Sequence, residues 1–180
     1  LMKQLIQNLK NGELSLADIP TPKVGHNEIL IRNTMSLIST GTEKMLLEFG
    51  KSNVITKARS QPEKVNEVIN KIKKDGLIAT YDAVNAKLSA PMPLGYSSIG
   101  IVVSVGDSVQ NFKAGDRVTS NGSHAEFVCV PKNLVAKIPH SVADEDAVFT
   151  VIASIALQGI RLQDPKIGET IVVYGLGLVG

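Results

Sequence analysis

Short apolar runs alternate with turn-forming residues over roughly the first 130 positions of the chain. The runs are rich in Val and Ile, and Gly, Pro, Asn or Asp separates them. This pattern is typical of β-strands joined by tight turns. It predicts a small, closed or partly closed β-barrel. The clearest predicted strands cover residues 28–32, 99–105, 116–119 and 125–130.

One segment has the periodicity of a helix instead. Val65, Val68, Ile69 and Ile72 fall at i, i+3, i+4 and i+7, which predicts an amphipathic helix over 60–74. Ser60 and Glu63 have the spacing of a capping box, and Gly76 can end the helix before a second one over 77–88. This helical insert, residues 60–89, either covers a site or a neighbouring domain, or plugs one end of the barrel.

The pattern changes again after residue 140. Ser141 can cap a short turn through 144–148, a long apolar face over 152–162 predicts a buried helix, and residues 171–174 predict a buried parallel strand. A G-x-G-x-x-G motif follows that strand: Gly175, Leu176, Gly177, Leu178, Val179 and Gly180. In a dinucleotide-binding fold such glycines allow a tight turn and close approach of a pyrophosphate. The motif predicts binding of NAD or NADP; the alternative is a glycine-rich turn of another α/β domain.

Composition narrows the class of protein. A hydrophobic fraction of 43% and a charged fraction of 20% are those of an ordinary globular protein. The net charge of +2 gives no reason to expect a nucleic-acid partner, and no apolar run is long enough to predict a membrane span. Cys129 is the single cysteine, which excludes an internal disulfide and favours the reducing cytoplasm.

The order of motifs along the chain resembles the medium-chain dehydrogenase/reductase family. The resemblance implies a mainly β fold with α: a GroES-like catalytic barrel over 1–140, and over 141–180 the first helix and strand of an NAD(P)-binding Rossmann domain. We expect the chain to be truncated at the glycine motif and inactive by itself. The motifs that carry the resemblance lie at residues 40–43, 93–100, 102–109, 114–118, 125–127, 167–170 and 175–180.

The departures from the family pattern concern zinc. Where zinc-dependent members have a cysteine ligand this chain has Thr40, where they have a histidine ligand it has Tyr96, and the third position falls at Phe149–Thr150. Hydroxyl groups are poor zinc ligands beside thiolate and imidazole. The four-cysteine structural-zinc loop is also absent, so we expect no zinc.

The same resemblance supplies the catalytic candidates. Tyr96 stands at the histidine position, and Thr42 at the position that relays the alcohol proton in zinc-dependent members; Thr40 is expected to line the site. A hydroxyl donor is the simplest metal-free way to stabilise a developing oxyanion. The alternative is that the ring of Tyr96 only packs in the cleft, while the two threonines bond to backbone at a turn.

The remaining polar residues give weaker indications of function. We expect His124 and His140 to be surface histidines and Cys129 a small buried hydrophobe. The segment 51–75 has seven Lys or Arg and three acidic residues, either as a solvated helix face or as a funnel for an anionic substrate.

The leading hypothesis is a zinc-independent, NAD(P)-dependent oxidoreductase acting on a small polar alcohol or carbonyl. The helical insert and Tyr96–Ser97 resemble a bacterial bi-domain oxidoreductase subgroup, which implies a sugar or nucleotide-sugar substrate. The alternative is a non-catalytic GroES-like binding or scaffold module. The apolar face of the 152–162 helix should be exposed without its sheet, so we expect a homo-oligomer.

Overall fold

The strands of this chain form two antiparallel sheets. The fold is that of a computed structural model, which describes residues 1–53, 56–57, 59 and 62–180. One sheet has the order β2-β1-β4, and the other has the order β7-β3-β5-β6-β8. The strands are β1 (Met2–Asn8), β2 (Leu14–Ile19), β3 (Glu28–Ser36), β4 (Pro91–Pro93), β5 (Ser98–Val105), β6 (Arg117–Ser120), β7 (Phe127–Pro131) and β8 (Val135–Lys137).

The larger sheet owes its register to alternation along its central strand. In β3, Ile29 and Ile31 are completely buried, while Arg32 is exposed. A shift by one residue would exchange the two faces, so the buried face fixes the pairing of β3 with β5 and β7. These isoleucines join valines of the neighbouring strands, among them Val102, Val118 and Val128, in the main core. The four strands predicted most clearly from the sequence are confirmed.

Hydrogen bonds between β1 and the segment before β7 join the two sheets. Gln4 pairs with Ala125 in an isolated bridge, and the amide of Leu5 donates to the carbonyl of His124 at 2.9 Å. Glu126 donates in turn to the carbonyl of Lys3 at 2.9 Å. The result is a partly closed barrel, as the alternating pattern predicted.

In the described ranges between β3 and β4, the longer helices are α1 (Thr40–Lys51), α2 (Pro62–Asp75) and α3 (Leu77–Ser89). The helices α2 and α3 confirm the predicted pair, with Gly76 at φ 87° between them. Of the proposed capping box, Ser60 lies outside the described residues. The pair is not a plug, because α2 contains no buried residue and α3 contains one, Thr80. Six of the seven cationic side chains of segment 51–75 are exposed, which favours the solvated-face interpretation.

The seventh cation, Lys57, is buried beside the turn between β1 and β2. Its ammonium group donates to the carbonyls of Leu9 at 2.7 Å, Lys10 at 3.2 Å and Gly50 at 2.8 Å. Burial lowers the pKa of Lys57 below its usual value. The carbonyl contacts attach the segment after α1 to the β1–β2 turn.

The end of the chain differs in part from expectation. Two helices form as predicted, α4 (Asp144–Ala147) and α5 (Thr150–Gln163), although Ala143, and not Ser141, is the N-cap of α4. Residues 171–174 are not paired in a sheet, and Val172 is 83% exposed, so the prediction of a buried strand there is wrong for this structure. A strand is stabilised by its neighbours, and a parallel strand needs them on its edges and faces. The apolar face of α5 is exposed, as predicted: Ile155, Leu157, Ile160 and Leu162 are 47–74% accessible.

Candidate active site

Two of the three predicted catalytic side chains meet in the structure. Thr42 lies in the first turn of α1, and Tyr96 lies in the loop between β4 and β5. Their hydroxyl oxygens, Thr42 Oγ1 and Tyr96 Oη, are 3.4 Å apart, and either can be the donor. Both residues are partly buried. The fold thus brings together two hydroxyl groups that are 54 residues apart in sequence.

Thr40 does not join this pair. It is the first residue of α1 and it is exposed. Positions i and i+2 of a helix point in different directions, so Thr40 and Thr42 do not share a face. The helix itself was not predicted from the sequence, so the different directions of Thr40 and Thr42 could not be foreseen.

A buried hydrogen bond fixes the residue after Tyr96. Ser97 is 1% exposed, and its hydroxyl donates to the carbonyl of Val148 at 2.6 Å. Val148 immediately follows α4 and precedes the Phe149–Thr150 pair that begins α5. The loop with Tyr96 is therefore tied to the start of α5.

His124 lies beneath this region and is not the surface residue that the sequence suggested. Its side chain is only 10% exposed, and its ring makes two hydrogen bonds: Nδ1 with Ser36 Oγ at 2.8 Å, and Nε2 with Glu43 Oε1 at 3.1 Å. The position of His124 before a strand predicts a surface histidine. The contact between the two sheets encloses this position. Glu43 could have indicated this contact from the sequence. A carboxylate within a hydroxyl-rich motif requires a partner when it is buried. His140 is exposed, as predicted.

Cys129, which the sequence predicts to be a small buried hydrophobe, is only partly buried. Its thiol lies 3.2 Å from Glu28 Oε2. Burial, reinforced by the hydrogen bond to Glu28, raises the pKa of the Cys129 thiol to about 11. Such a thiol is a weak nucleophile at neutral pH, and it contributes nothing to the site.

The donor set at the family's zinc positions does not fit zinc. Thr40 and Tyr96 present hydroxyl groups; at the third position Phe149 presents no donor, and the hydroxyl of Thr150 donates to the carbonyl of Ala147. Within the described ranges, His, Cys, Asp and Glu side chains form no group of three or more that could hold a metal ion.

Two glycines of the motif occupy positions where a side chain is disfavoured. Gly175 has φ 97°, a conformation that side chains disfavour. A Cβ added to Gly180 would lie 1.8 Å from the carbonyl oxygen of Gly175, whereas one added to Gly177 would meet open space. The outer glycines thus form the turn, and the middle one leaves its backbone accessible.

Comparison with known proteins gives consistent matches. Residues 67–140 match the alcohol dehydrogenase GroES-like domain. An alcohol dehydrogenase from Moraxella sp. is 27% identical over 173 residues, which covers 76% of this chain and 51% of that protein. The fold resembles a quinone oxidoreductase from Coxiella burnetii, with a TM-score of 0.62 at 22% identity over 93% of this chain and 46% of the other. It also resembles a short chain alcohol dehydrogenase from E. coli solved with NADH, with a TM-score of 0.68 at 18% identity over 97% and 49% of the two chains.

The fold and the matched domain define the class: a GroES-like barrel followed by the beginning of a Rossmann portion. These matches make the chain similar to medium-chain dehydrogenases/reductases. The chain spans between about a third and a half of the length of the first curated relatives it matches. In the part of the chain that the structure describes, no helix has the length and apolar character to cross a membrane.

Proposed function

We propose that this chain supplies the catalytic barrel of a zinc-independent, NAD(P)-dependent oxidoreductase that interconverts a small polar alcohol and its carbonyl. The observation that carries the proposal is the Thr42–Tyr96 hydroxyl pair, whose oxygens are 3.4 Å apart. By resemblance, Tyr96 stands at the sequence position of the family's histidine ligand. The barrel covers residues 1–140, and the nucleotide-binding domain begins at 141. The end of the GroES-like match at residue 140 supports this boundary.

A nicotinamide cofactor, NAD or NADP, supplies or accepts the hydride when it is bound. The residues that would hold its pyrophosphate are those of the turn from Gly175 to Gly180, with the accessible backbone of Gly177 at its centre. NADH in the similar alcohol dehydrogenase structure supports this assignment.

The chain's own residues handle the proton. As hydride leaves the carbinol carbon, the substrate hydroxyl must lose its proton, and negative charge develops on oxygen. Tyr96 Oη accepts this proton while its own proton passes to Thr42 Oγ1, and Thr42 releases its hydroxyl proton to solvent at the first turn of α1. In the reverse direction Thr42 donates to Tyr96, which leaves the tyrosine proton free to stabilise the forming alkoxide.

The substrate class rests on the resemblance of Tyr96–Ser97 and the α2–α3 insert to the bi-domain oxidoreductase subgroup, which implies a sugar or nucleotide sugar. The exposed cations of α2 lie outside the segments that carry Thr42 and Tyr96 and do not contribute to this choice. We place the reaction in the cytoplasm and expect the exposed apolar face of α5 to be covered in the whole protein, by its own sheet or by a second copy.

The experiment is a comparison of variants of the full-length protein. NADH and NADPH are titrated, zinc is measured by elemental analysis, and hydride exchange is followed with alcohols, carbonyls and nucleotide sugars. Tyr96→Phe and Thr42→Val should lower kcat by about 10²-fold or more, since a positioned proton-transfer group contributes about 10²–10⁴-fold. The matched control is Tyr81→Phe, because Tyr81 is 69% exposed on α3.

Stoichiometric zinc would contradict the metal-free mechanism. Nucleotide binding without hydride exchange on any substrate would support the alternative, a binding or scaffold module. Unchanged kcat in Tyr96→Phe would remove Tyr96 from the mechanism.

A further inference from the structure

We propose that His124 and Glu43 are positioning residues that set the Thr42–Tyr96 hydroxyl pair, a role that rests on the proposed function and deepens it. Neither residue touches the reacting atoms in the arrangement described above. Their effect would act through the two segments that carry the hydroxyl groups.

The first segment is the start of α1. Glu43 is the residue after Thr42, and its Oε1 accepts the backbone N–H of Ser39 at 2.9 Å, which caps the helix. The same oxygen lies 3.1 Å from His124 Nε2. One carboxylate oxygen therefore holds both the first turn of α1 and the imidazole ring.

The second segment is the loop that carries Tyr96. The amide of His124 donates to the carbonyl of Leu94 at 2.8 Å, so the backbones of the two residues are paired. The ring of His124 lies against Gly95, where an added Cβ would be 2.7 Å from the ring carbons Cδ2 and Cγ. Gly95 has φ 89° and directly precedes Tyr96. The His124 ring thus contacts the turn that determines the direction of the Tyr96 side chain.

The hydrogen bond to Glu43 places a proton on one ring nitrogen of His124. Glu43 Oε1 is an acceptor, so His124 Nε2 carries a proton and donates it. In the neutral ring Nδ1 is then the acceptor, and the hydroxyl of Ser36 donates to it. Ser36 ends β3. A single ring connects the end of β3, the start of α1 and the loop before β5, and two of these segments carry the hydroxyl pair.

This arrangement differs from ordinary core packing in one testable respect. Packing alone requires a side chain of the right volume, whereas positioning requires the donor to Glu43. The side-chain amide of Gln can reach the position of Nε2 and donate to Glu43, while the shorter Asn reaches only the position of Nδ1. His124→Gln therefore keeps the contact that holds α1, and His124→Asn loses it.

Both variants are made in the full-length protein, with His140→Asn as the control at an exposed histidine. His124→Asn should lower kcat by about 10²-fold, the loss expected for a misplacement of about 1 Å, with the Kd for NADH unchanged. His124→Gln should stay within a few-fold of the wild-type kcat. Equal kcat values in Asn and Gln variants that both fold would overturn the proposal and leave His124 a packing residue.

A second readout is independent of activity. Ring carbon resonances of isotope-labelled tyrosine, with Tyr96 assigned by the loss of its signal in Tyr96→Phe, report the surroundings of its hydroxyl group. The Tyr96 resonance should shift in His124→Asn and stay in place in His124→Gln. If His124→Asn does not fold, Glu43→Gln replaces it, because the amide keeps the cap on Ser39 while weakening the bond to His124. A Tyr96 resonance unmoved in every folded variant would refute the inference.

The two readouts separate this inference from the proposed function. If the wild-type protein transfers hydride to no substrate, the proposed function fails, and the Tyr96 resonance still decides whether His124 positions the pair.

Discussion

Replacing Gly95 by alanine tests the structural account of the candidate site most directly. Gly95 has φ 89°, where an L-residue costs about 1–2 kcal/mol. The added methyl group would also lie 2.7 Å from the His124 ring, which is held by hydrogen bonds on both sides and has little room to move. Overpacking of this kind typically costs a further 1–3 kcal/mol, roughly. We expect Gly95→Ala to lower the free energy of unfolding by about 2–5 kcal/mol.

The chain offers a matched control. Gly115 has the same φ of 89°, but a Cβ added there meets nothing within 4 Å. Gly115→Ala should therefore cost only the backbone term, about 1–2 kcal/mol. The difference between the two variants isolates the contact with His124.

The assay is urea unfolding of both variants, and of each combined with His124→Ala. Removing the ring should abolish the difference between Gly95→Ala and Gly115→Ala, because the ring is what the methyl group meets. Two equally destabilised single variants would show that His124 does not lie against Gly95, and a difference that survives in the His124→Ala background would show that another group causes it.

Three further predictions concern Ser97 and Cys129. Ser97→Ala should lower the free energy of unfolding by about 1–3 kcal/mol, because the carbonyl of Val148 loses its donor in a buried place; no change in the urea midpoint would contradict this. Cys129 should react slowly with iodoacetamide at neutral pH, and rapidly once the protein is unfolded, because its folded pKa of about 11 keeps the thiol protonated. Since that pKa is raised above the unfolded value of 9.0, stability from this group is complete below pH 9.0 and falls as the pH rises through about 11. We expect the unfolding midpoint of the wild type to fall over this pH range and that of Cys129→Ser to stay level. Parallel curves of the midpoint against pH would refute the prediction.

Much of the candidate site could be found from the sequence because it lies in short motifs. Tyr96 and Thr42 were chosen by their positions in a family pattern, and the structure brings their hydroxyl groups within 3.4 Å. Their proposed roles remain predictions. Thr40 was chosen by the same pattern, but the helix that begins at Thr40 turns it away from Thr42. Sequence spacing alone does not give direction until the element is known.

The sequence by itself determined β3, β5, β6 and β7, the α2–α3 pair and α5, because each has a local hydrophobic period that matches its backbone geometry. Only the tertiary structure decided the state of His124, whose burial depends on the junction of two sheets, and of residues 171–174, which lack the neighbours that a parallel strand needs. It also decided that Glu43 serves two partners at once. Periodicity is a property of neighbouring residues, whereas burial and hydrogen bonding across the barrel join residues as far apart as Lys3 and Glu126, 123 positions from each other, which no local pattern records.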